Sequence, residues 1–287
     1  MTPVQIVLFS LSGLMALIAL FGGVWLFMTT PRKSAAKMQK FLTYRYAHRG
    51  LHGTGVAENS LTAFSRAVKA GFGIELDIRL AADGELVVFH DETLLRVCGE
   101  DKRVIDLTTE ELRSYRLSGT DDYPPTLREV LELVGGRVPL LIEIKHGKGE
   151  SGIAERFLEE IRDYRGEYIV ESFNPRALKI VRRARPDLLL GQLSMRYSTI
   201  QKFRGKPAYM LMERMLLSFL VRPDFIAYET AGFKHGVLNR LKKNYGVPCI
   251  AWTVRSEGQE KEMLSDGFDT VIFEGYKPKV SRIKKGK

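Results

Sequence analysis

After residue 40 the chain alternates short apolar runs with stretches of helical periodicity. Runs such as GIELDIRL and VPLLIEIK are separated by amphipathic patterns such as LTAFSRAVKA and TLREVLELV. This alternation is typical of βα units that build a parallel sheet. Nine strand-like runs occur where a closed barrel of this type needs eight. We predict an irregular TIM-type (β/α)8 barrel, in which the surplus run, DFIAYE, is a loop or an irregular strand.

Local signals define several of these elements. Asn59 and Ser60 can cap a helix that continues to about Ala70, and Gly71 and Gly73 end it. No helix fits between GIELDIRL and LVVFHD, because only the turn-forming segment AADGE separates them. These two strands therefore lack the helical crossover that the other strands have.

The first residues interrupt this pattern with a long apolar segment. Residues 3–28 contain no charged side chain, and a helix needs about 20 apolar residues to cross a bilayer. A cleaved signal has a basic start and a shorter apolar core, and this segment has neither. We predict a transmembrane anchor at 1–30, a basic linker at 31–43, the barrel at 44–276 and a basic tail at 277–287.

The formal net charge of +10 is concentrated beside the apolar segment and at the end of the chain. Basic residues flank the cytoplasmic end of membrane spans, so we predict a single-pass protein with its catalytic domain in the cytoplasm. The clusters suit anionic lipid headgroups, although a merely solvated tail has the same composition. No zinc-finger, ribonucleoprotein or basic-zipper motif is present, so we expect no nucleic-acid partner. Protein partners are not indicated.

Two pairs of charged residues have the two-residue spacing of one strand face. Glu75 and Asp77 share a face, as do Glu143 and Lys145 further along the chain. The apolar residues that alternate with them indicate burial, and buried carboxylates need a partner. Carboxylate oxygens are the ligands that hard divalent cations prefer. The spacing therefore predicts a cation site inside the sheet.

Two histidines follow apolar runs, His48 after YRYA and His90 after LVVF. Imidazole titrates near neutral pH, so one histidine can accept a proton from an attacking hydroxyl while the other gives one to a leaving oxygen. Barrel strands deliver their carboxyl ends to one face. We expect both histidines to meet the carboxylates there.

The segments AHRG, ENS, ELDIRLAADGELVVFHD, PTLREVLEL, IEIK, ESF and AWTV, in this order, resemble the glycerophosphodiester phosphodiesterase family. The resemblance implies one divalent cation, usually Ca²⁺ or Mg²⁺, and hydrolysis of glycerophosphodiesters to glycerol 3-phosphate and an alcohol. Residue by residue, it implies His48 and His90 as the acid/base pair and Glu75, Asp77 and Glu143 as metal ligands. We expect the substrate contacts to come from Arg49, Lys145, Asn59, Phe173 and Trp252.

Alternatives remain at this stage. A lysophospholipase-D-like hydrolase of membrane lysophospholipids would use the same site, and a barrel that binds phospholipid without turnover is a third possibility. The attacking hydroxyl is either water or the substrate's own glycerol hydroxyl. Tyr209 to Val221 is either a well-buried helix or a membrane-facing element. Phe273-Glu274 stands where the family usually has Thr-Asp, and we expect that this alters the mouth of the pocket.

Overall fold

A computed structural model describes residues 2–230 and 236–283. Its strands form one sheet, in which eight parallel strands close into a barrel because the first pairs with both the second and the last. Around the barrel the order is β1, β2, β4, β5, β6, β7, β8, β9. The strands are β1 (Tyr46–Ala47), β2 (Gly73–Leu80), β3 (Leu86–Val88), β4 (Leu140–Ile144), β5 (Tyr168–Ser172), β6 (Leu190–Ser194), β7 (Phe225–Glu229), β8 (Cys249–Val254) and β9 (Thr270–Phe273).

The barrel prediction is confirmed, but the surplus strand was assigned wrongly. DFIAYE contains β7, a regular strand that pairs in parallel with β6 and β8. The ninth strand is β3, which pairs antiparallel with β2 through Ile78 and Val88. A five-residue turn is too short for the crossover that a parallel pair requires, so the chain folds back as a hairpin.

Most of the helices cover the outside of the barrel, whereas the first two have other positions. The helices are α1 (Pro3–Thr29), α2 (Ala35–Leu42), α3 (Leu61–Ala70), α4 (Leu95–Cys98), α5 (Thr109–Leu112), α6 (Leu127–Val134), α7 (Ile153–Glu160), α8 (Pro175–Ala184), α9 (Pro207–Glu213), α10 (Gly236–Tyr245) and α11 (Glu257–Ser265). Their ends follow the predicted signals: the Ser60 hydroxyl accepts from the Ala63 amide, and Gly71 ends α3 in the left-handed conformation. Outward-facing strand residues such as Leu76 and Ile142 pack against these helices and form the main core.

The base of the barrel is closed by α2. Met38, Phe41 and Leu42 are buried against the inward-facing residues of the strands. The Tyr46 hydroxyl donates to the carbonyl of Phe41. The segment predicted as a basic linker therefore contains an apolar plug, and burial at the base leaves the opposite end of the barrel for polar groups.

The N-terminal helix α1 has a mean hydropathy of 2.3 in its most apolar window and no buried residues there. Among the described residues, its contacts with the barrel come from its last turns, at Trp25 and Phe27. The Phe27 and Phe219 rings lie 5.7 Å apart between centroids. By length and composition α1 is a candidate membrane span, although a signal sequence has the same properties.

Candidate active site

A cavity of about 520 Å³ opens at the end of the barrel opposite α2. Strands β1, β2 and β4 supply a charged half, and strands β5 to β8 with the segment after β6 supply an apolar half. The charged half consists of His48, Arg49, Glu75, His90, Glu143 and Lys145, with Asp77 behind them in contact with Lys145. The apolar half consists of Phe173, Leu193, Met195, Tyr197, Phe203, Tyr209, Met212 and Trp252.

Three buried carboxylates meet inside the charged half. Glu75, Asp77 and Glu143 are 2%, 1% and 7% exposed, and one oxygen from each lies within 4.8 Å of the others. Asp77 and Glu143 are register partners on the neighbouring strands β2 and β4, which explains their proximity. Three oxygen ligands in this arrangement match the donor set of a hard divalent cation. The residues present therefore fit the cation that the sequence predicts.

Two cations offset part of this negative charge. Lys145 Nζ lies 2.7 Å from Asp77 Oδ1 and 2.7 Å from Glu143 Oε2. Burial disfavours the charged form of Asp77, but Lys145 and Arg49 outweigh it and hold its pKa well below the ordinary value. Burial raises the pKa of Glu75 well above the ordinary value, and Asp77 and Glu143 add to the effect. Three carboxylates thus face two cations, and this excess of acidic groups favours the neutral form of Glu75.

A strained turn brings Arg49 to this cluster. Arg49 and Gly50 both have positive φ, 53° and 82°. A Cβ on residue 50 would lie 2.8 Å from the Cβ of Ala63, so only glycine fits this turn against α3. The turn points the Arg49 amide at Glu75 Oε2, 2.9 Å away. Asn59, also at positive φ, donates from Nδ2 to Asp77 Oδ2 at 2.9 Å.

His48 is held by Glu274, one of the two residues that replace the family's usual Thr-Asp. Its Nδ1 lies 2.5 Å from Glu274 Oε2, and its Nε2 lies 3.9 Å from Glu75 Oε2. Burial lowers the pKa of His48, while the hydrogen bond to Glu274 works in the opposite direction. The same hydrogen bond lowers the pKa of Glu274 to about 2. Phe273-Glu274 therefore retains a carboxylate at the mouth of the pocket.

His90 is held by its sequence neighbour. Its Nδ1 lies 2.6 Å from Asp91 Oδ1, and Arg96 Nε donates to Asp91 Oδ2 at 2.6 Å. Arg96 also forms two hydrogen bonds to Glu58, which in turn accepts from Arg49 Nη1 at 2.8 Å. The antiparallel strand β3 returns the chain to the level of the carboxylates, which brings His90 to the same cavity as His48.

The apolar half is a set of ring contacts. Phe173 meets Trp252 with ring centroids 5.7 Å apart at 82°, and meets Tyr197 at 6.5 Å. Tyr197 and Phe203 both pack against Tyr209, at 5.2 Å and 4.3 Å. These rings leave an apolar wall opposite the carboxylates, where carbon atoms of a ligand would be shielded from water.

Eight of the ten predicted site residues line this cavity. Asp77 contacts the lining through Lys145, and Asn59 reaches it through Asp77. His52 and Glu274 approach His48 closely enough for the three to hold a metal ion, and His146 lines the cavity without a predicted role. His235 lies outside the described residues.

Sequence reasoning missed Glu171, which is 1% exposed and has one carboxylate oxygen without a hydrogen-bond partner among the described residues. It pairs in register with Glu143, so strand alternation alone would have placed it inside the barrel. Arg79 was missed as well. It donates to the carbonyl of His90 and to both carboxylate oxygens of Glu150, and so supports the His90 backbone.

The fold and the charged mouth define a TIM-barrel enzyme. A phosphodiesterase of Oleispira antarctica, solved with the product sn-glycerol-3-phosphate, superposes with a TM-score of 0.69 at 22% identity, over 82% of this chain and 94% of that one. A glycerophosphodiester phosphodiesterase of Thermotoga maritima superposes with a TM-score of 0.63 at 26% identity, over 81% of this chain and 95% of that one.

Sequence comparison then identifies the family. The model of the glycerophosphoryl diester phosphodiesterase family matches residues 48–275. A glycerophosphodiester phosphodiesterase of Caldanaerobacter subterraneus subsp. tengcongensis is 33% identical over 84% of this chain and 97% of its own length. A human lysophospholipase D is 32% identical over 46% of this chain and 45% of its own length. The chain belongs to the glycerophosphoryl diester phosphodiesterase family and is an enzyme of that type.

Proposed function

We propose that the protein hydrolyses glycerophosphodiesters to glycerol 3-phosphate and an alcohol, with one divalent cation, Ca²⁺ or Mg²⁺, and two histidines. The observation that carries the proposal is the convergence of His48, His90 and three buried carboxylates on one cavity. Neither a proton donor nor a proton acceptor is needed by a barrel that only binds phospholipid, so we set that alternative aside.

The two histidines have different roles in this proposal. Burial lowers the pKa of His48, so its ring is neutral near pH 7 and its Nε2 accepts the proton of the attacking hydroxyl. Glu274 accepts a hydrogen bond from Nδ1–H of His48 and keeps Nε2 directed at the cavity. His90 gives its proton to the leaving alcohol oxygen, and Asp91 orients its ring through the contact with Nδ1.

Glu75, Asp77 and Glu143 would hold the cation, which supplies positive charge to the phosphate oxygens when bound. Lys145 and Arg49 line the same cavity and add two donors of fixed charge. Arg49 has a planar fork that suits two phosphate oxygens, whereas Lys145 acts as a point charge. Asn59 fixes Asp77, and Phe173 with Trp252 shields the carbon atoms of the glycerol group.

A diester panel tests the proposal directly. Purified protein is incubated with glycerophosphocholine, glycerophosphoethanolamine and glycerophosphoglycerol, in the presence of Ca²⁺, Mg²⁺ or a chelator. Glycerol 3-phosphate and free alcohol are both measured. We expect equimolar products with one of the cations and none with chelator. Hydrolysis that persists in chelator would remove the cation from the proposal, and no turnover on any diester would remove the reaction.

A second candidate function is hydrolysis of lysophospholipids at the same phosphate site. The apolar half of the cavity supports it, because eight carbon-rich side chains exceed what the small alcohols of soluble glycerophosphodiesters require. The similarity to a human lysophospholipase D is consistent with it. Adding lysophosphatidylcholine to the panel decides between them by the ratio of kcat/KM values.

We further propose that α1 is a single-pass anchor and that the barrel lies in the cytoplasm. The apolar length of α1 supports the anchor, and the basic residues from Arg32 to Arg45 support the orientation. A reporter enzyme fused after Lys287 that is active only in the cytoplasm tests both. Secretion of a shortened protein would show instead that the segment is a cleaved signal.

A further inference from the structure

The segment from Met195 to Arg214, here called the rim segment, follows β6 and forms one edge of the cavity. We propose that the rim segment docks on an anionic lipid bilayer, the one that holds α1, so that the cavity opens toward the membrane. The proposal rests on the membrane anchor and the phosphodiesterase function proposed above. Three independent features of the rim segment lead to it.

The first feature is charge. The rim segment carries five exposed basic residues and a single acidic residue, Glu213. Glu213 is 7% exposed and accepts from the amide and hydroxyl of Ser198. The exposed surface of the rim segment is therefore entirely basic in its charged groups. The five residues are Arg196, Lys202, Arg204, Lys206 and Arg214.

The second feature is the apolar surface between these charges. Met210 and Leu211 are 43% and 36% exposed, and most other large apolar side chains with such exposure lie on α1. Phe203 and Tyr209 stand half-buried beside them and also line the cavity. Interleaved basic, aromatic and aliphatic residues are the composition of helices and loops that bind at a lipid interface. An acidic protein surface would attract the charges but would not need the exposed Met210 and Leu211.

The third feature is the direction of α1. The Arg240 guanidinium lies 5.0 Å from the Trp25 ring centroid, and the Thr30 hydroxyl lies 3.5 Å from the Tyr245 hydroxyl. Helix α10 ends at Tyr245 and leads into β8 at the base of the barrel, so Arg240 is nearer the mouth. Going back from Thr30 to Trp25, α1 thus runs toward the mouth. The 22 residues from Pro3 to Val24 extend it by roughly 33 Å more in that direction.

The residues that follow the rim segment connect it with α1. Phe219, which contacts Phe27, follows the rim segment by five residues, and the Arg222 guanidinium also lies over the Phe27 ring at 5.7 Å. Of the stretch Tyr209 to Val221, the second half is thus packed against the barrel and α1, and the exposed apolar residues are Met210 and Leu211 in the first half. The membrane-facing surface is therefore the rim segment and not the whole apolar stretch.

A fluorescence experiment tests docking without any turnover. Full-length protein carrying Cys98→Ser is reconstituted in vesicles of phosphatidylcholine, with or without phosphatidylglycerol, and a polarity-sensitive dye is attached through Met210→Cys or, as a location control, through Lys69→Cys on α3. We expect a blue shift at position 210 that grows with phosphatidylglycerol, and no shift at position 69. Equal spectra at the two positions would overturn the proposal.

Paired charge variants test whether the basic residues of the rim segment cause the fluorescence shift. Arg204→Glu with Lys206→Glu should remove the phosphatidylglycerol-dependent shift at position 210. Arg66→Glu with Lys69→Glu, an equally exposed pair of the same composition on α3 across the barrel, should leave it unchanged. Equal loss with both pairs, or a shift that is insensitive to phosphatidylglycerol, would show that the rim segment does not recognise anionic lipid.

Turnover provides a second readout. The rim pair of substitutions should slow hydrolysis of lysophosphatidylcholine in the same vesicles by roughly tenfold or more, and leave hydrolysis of soluble glycerophosphocholine unchanged. Equal slowing of both substrates would contradict docking as the cause. If the unsubstituted protein hydrolyses neither substrate, the proposed function fails, while the fluorescence result still decides whether the rim segment docks.

Discussion

The two halves of the barrel mouth are built on different physical principles. In the charged half, ionised side chains meet partners of opposite charge or hydrogen-bond donors at 2.5–3.3 Å, as for His48 with Glu274 and Arg49 with Asp77. In the apolar half, rings meet at centroid distances of 4.3–6.5 Å without directional bonds. Charged contacts lose much of their energy when one partner is displaced, whereas ring contacts change gradually.

This difference assigns a task to each half. The carboxylates and Lys145 of the charged half are buried and depend on one another, so we expect this half to fix the reaction and to tolerate little change. The apolar half is partly exposed and comes in part from the irregular segment after β6, so we expect that it can vary and select the substrate without altering the chemistry. We therefore expect the largest effects of substitution in the charged half and the smallest in the apolar half.

The largest effect is expected from the histidines. His48→Ala and His90→Ala should each lower kcat on a soluble glycerophosphodiester by about 10²–10⁴, because each removes one proton transfer. His146→Ala is the matched control, since this exposed histidine lines the same cavity and has no assigned role. Circular dichroism checks that each variant is folded. Near-normal kcat in either of the first two variants would refute the role of that histidine.

The next largest effect is expected on cation affinity rather than on proton transfer. Asn59→Ala removes the hydrogen bond to Asp77 Oδ2 and should weaken cation affinity by about 10–100-fold, as for other residues that orient metal ligands. Titration calorimetry with Ca²⁺ or Mg²⁺ measures this independently of activity. At saturating cation the variant should recover most of its kcat. Unchanged affinity would show that Asp77 is not a ligand or is held by other contacts.

Much of the charged half could be predicted because strand alternation is a strict rule. Glu75, Asp77, Glu143 and Lys145 stand at spacings of two on short apolar runs, so their common direction follows from the pleat. Glu171 obeys the same rule and was overlooked only because no partner stands two residues away. Closure of the barrel then brings these strands together, and the alternation of strands with helices predicts that closure.

The remaining features depend on tertiary contacts that no local pattern encodes. Glu274 reaches His48 across the junction of β9 and β1, 226 residues apart in sequence. The departure from the usual Thr-Asp predicted an altered pocket mouth, although Glu274 retains a carboxylate there. The wrong assignment of DFIAYE has a different cause: the count of runs shows only that one is surplus, whereas the short AADGE turn, a local signal, shows which one folds back.

A smaller effect is expected from Glu274, which acts through His48. Glu274→Gln should lower kcat roughly tenfold, in line with loss of one charge-assisted hydrogen bond. It also removes a negative charge that favours protonated His48, so the pKa of His48 should fall further and the acidic limb of the pH–rate profile should move to lower pH. Glu274→Asp keeps the charge and should restore the limb. Profiles are recorded at saturating cation. An acidic limb that stays at the same pH in the Gln variant would show that Glu274 does not influence proton transfer by His48.

The smallest effect is expected in the apolar half, and it should depend on the substrate. Trp252 lines the cavity beside Phe173, and loss of its contact with an acyl chain would expose about one methylene group, worth about 0.8 kcal/mol or roughly fourfold in binding. Trp252→Ala should therefore raise KM for lysophosphatidylcholine by that factor with kcat nearly unchanged, because the contact is the same in substrate and transition state.

Trp252→Phe keeps a ring at this position and serves as the matched control, with KM close to that of the unsubstituted protein. Glycerophosphocholine, which has no acyl chain and offers Trp252 only its glycerol carbons, should show a smaller change in KM with either variant. Steady-state kinetics on both substrates measures the contrast. A fall in kcat on both substrates, with KM unchanged, would mean that Trp252 orients the charged half, and the division of the mouth into a reactive and a selective half would have to be redrawn.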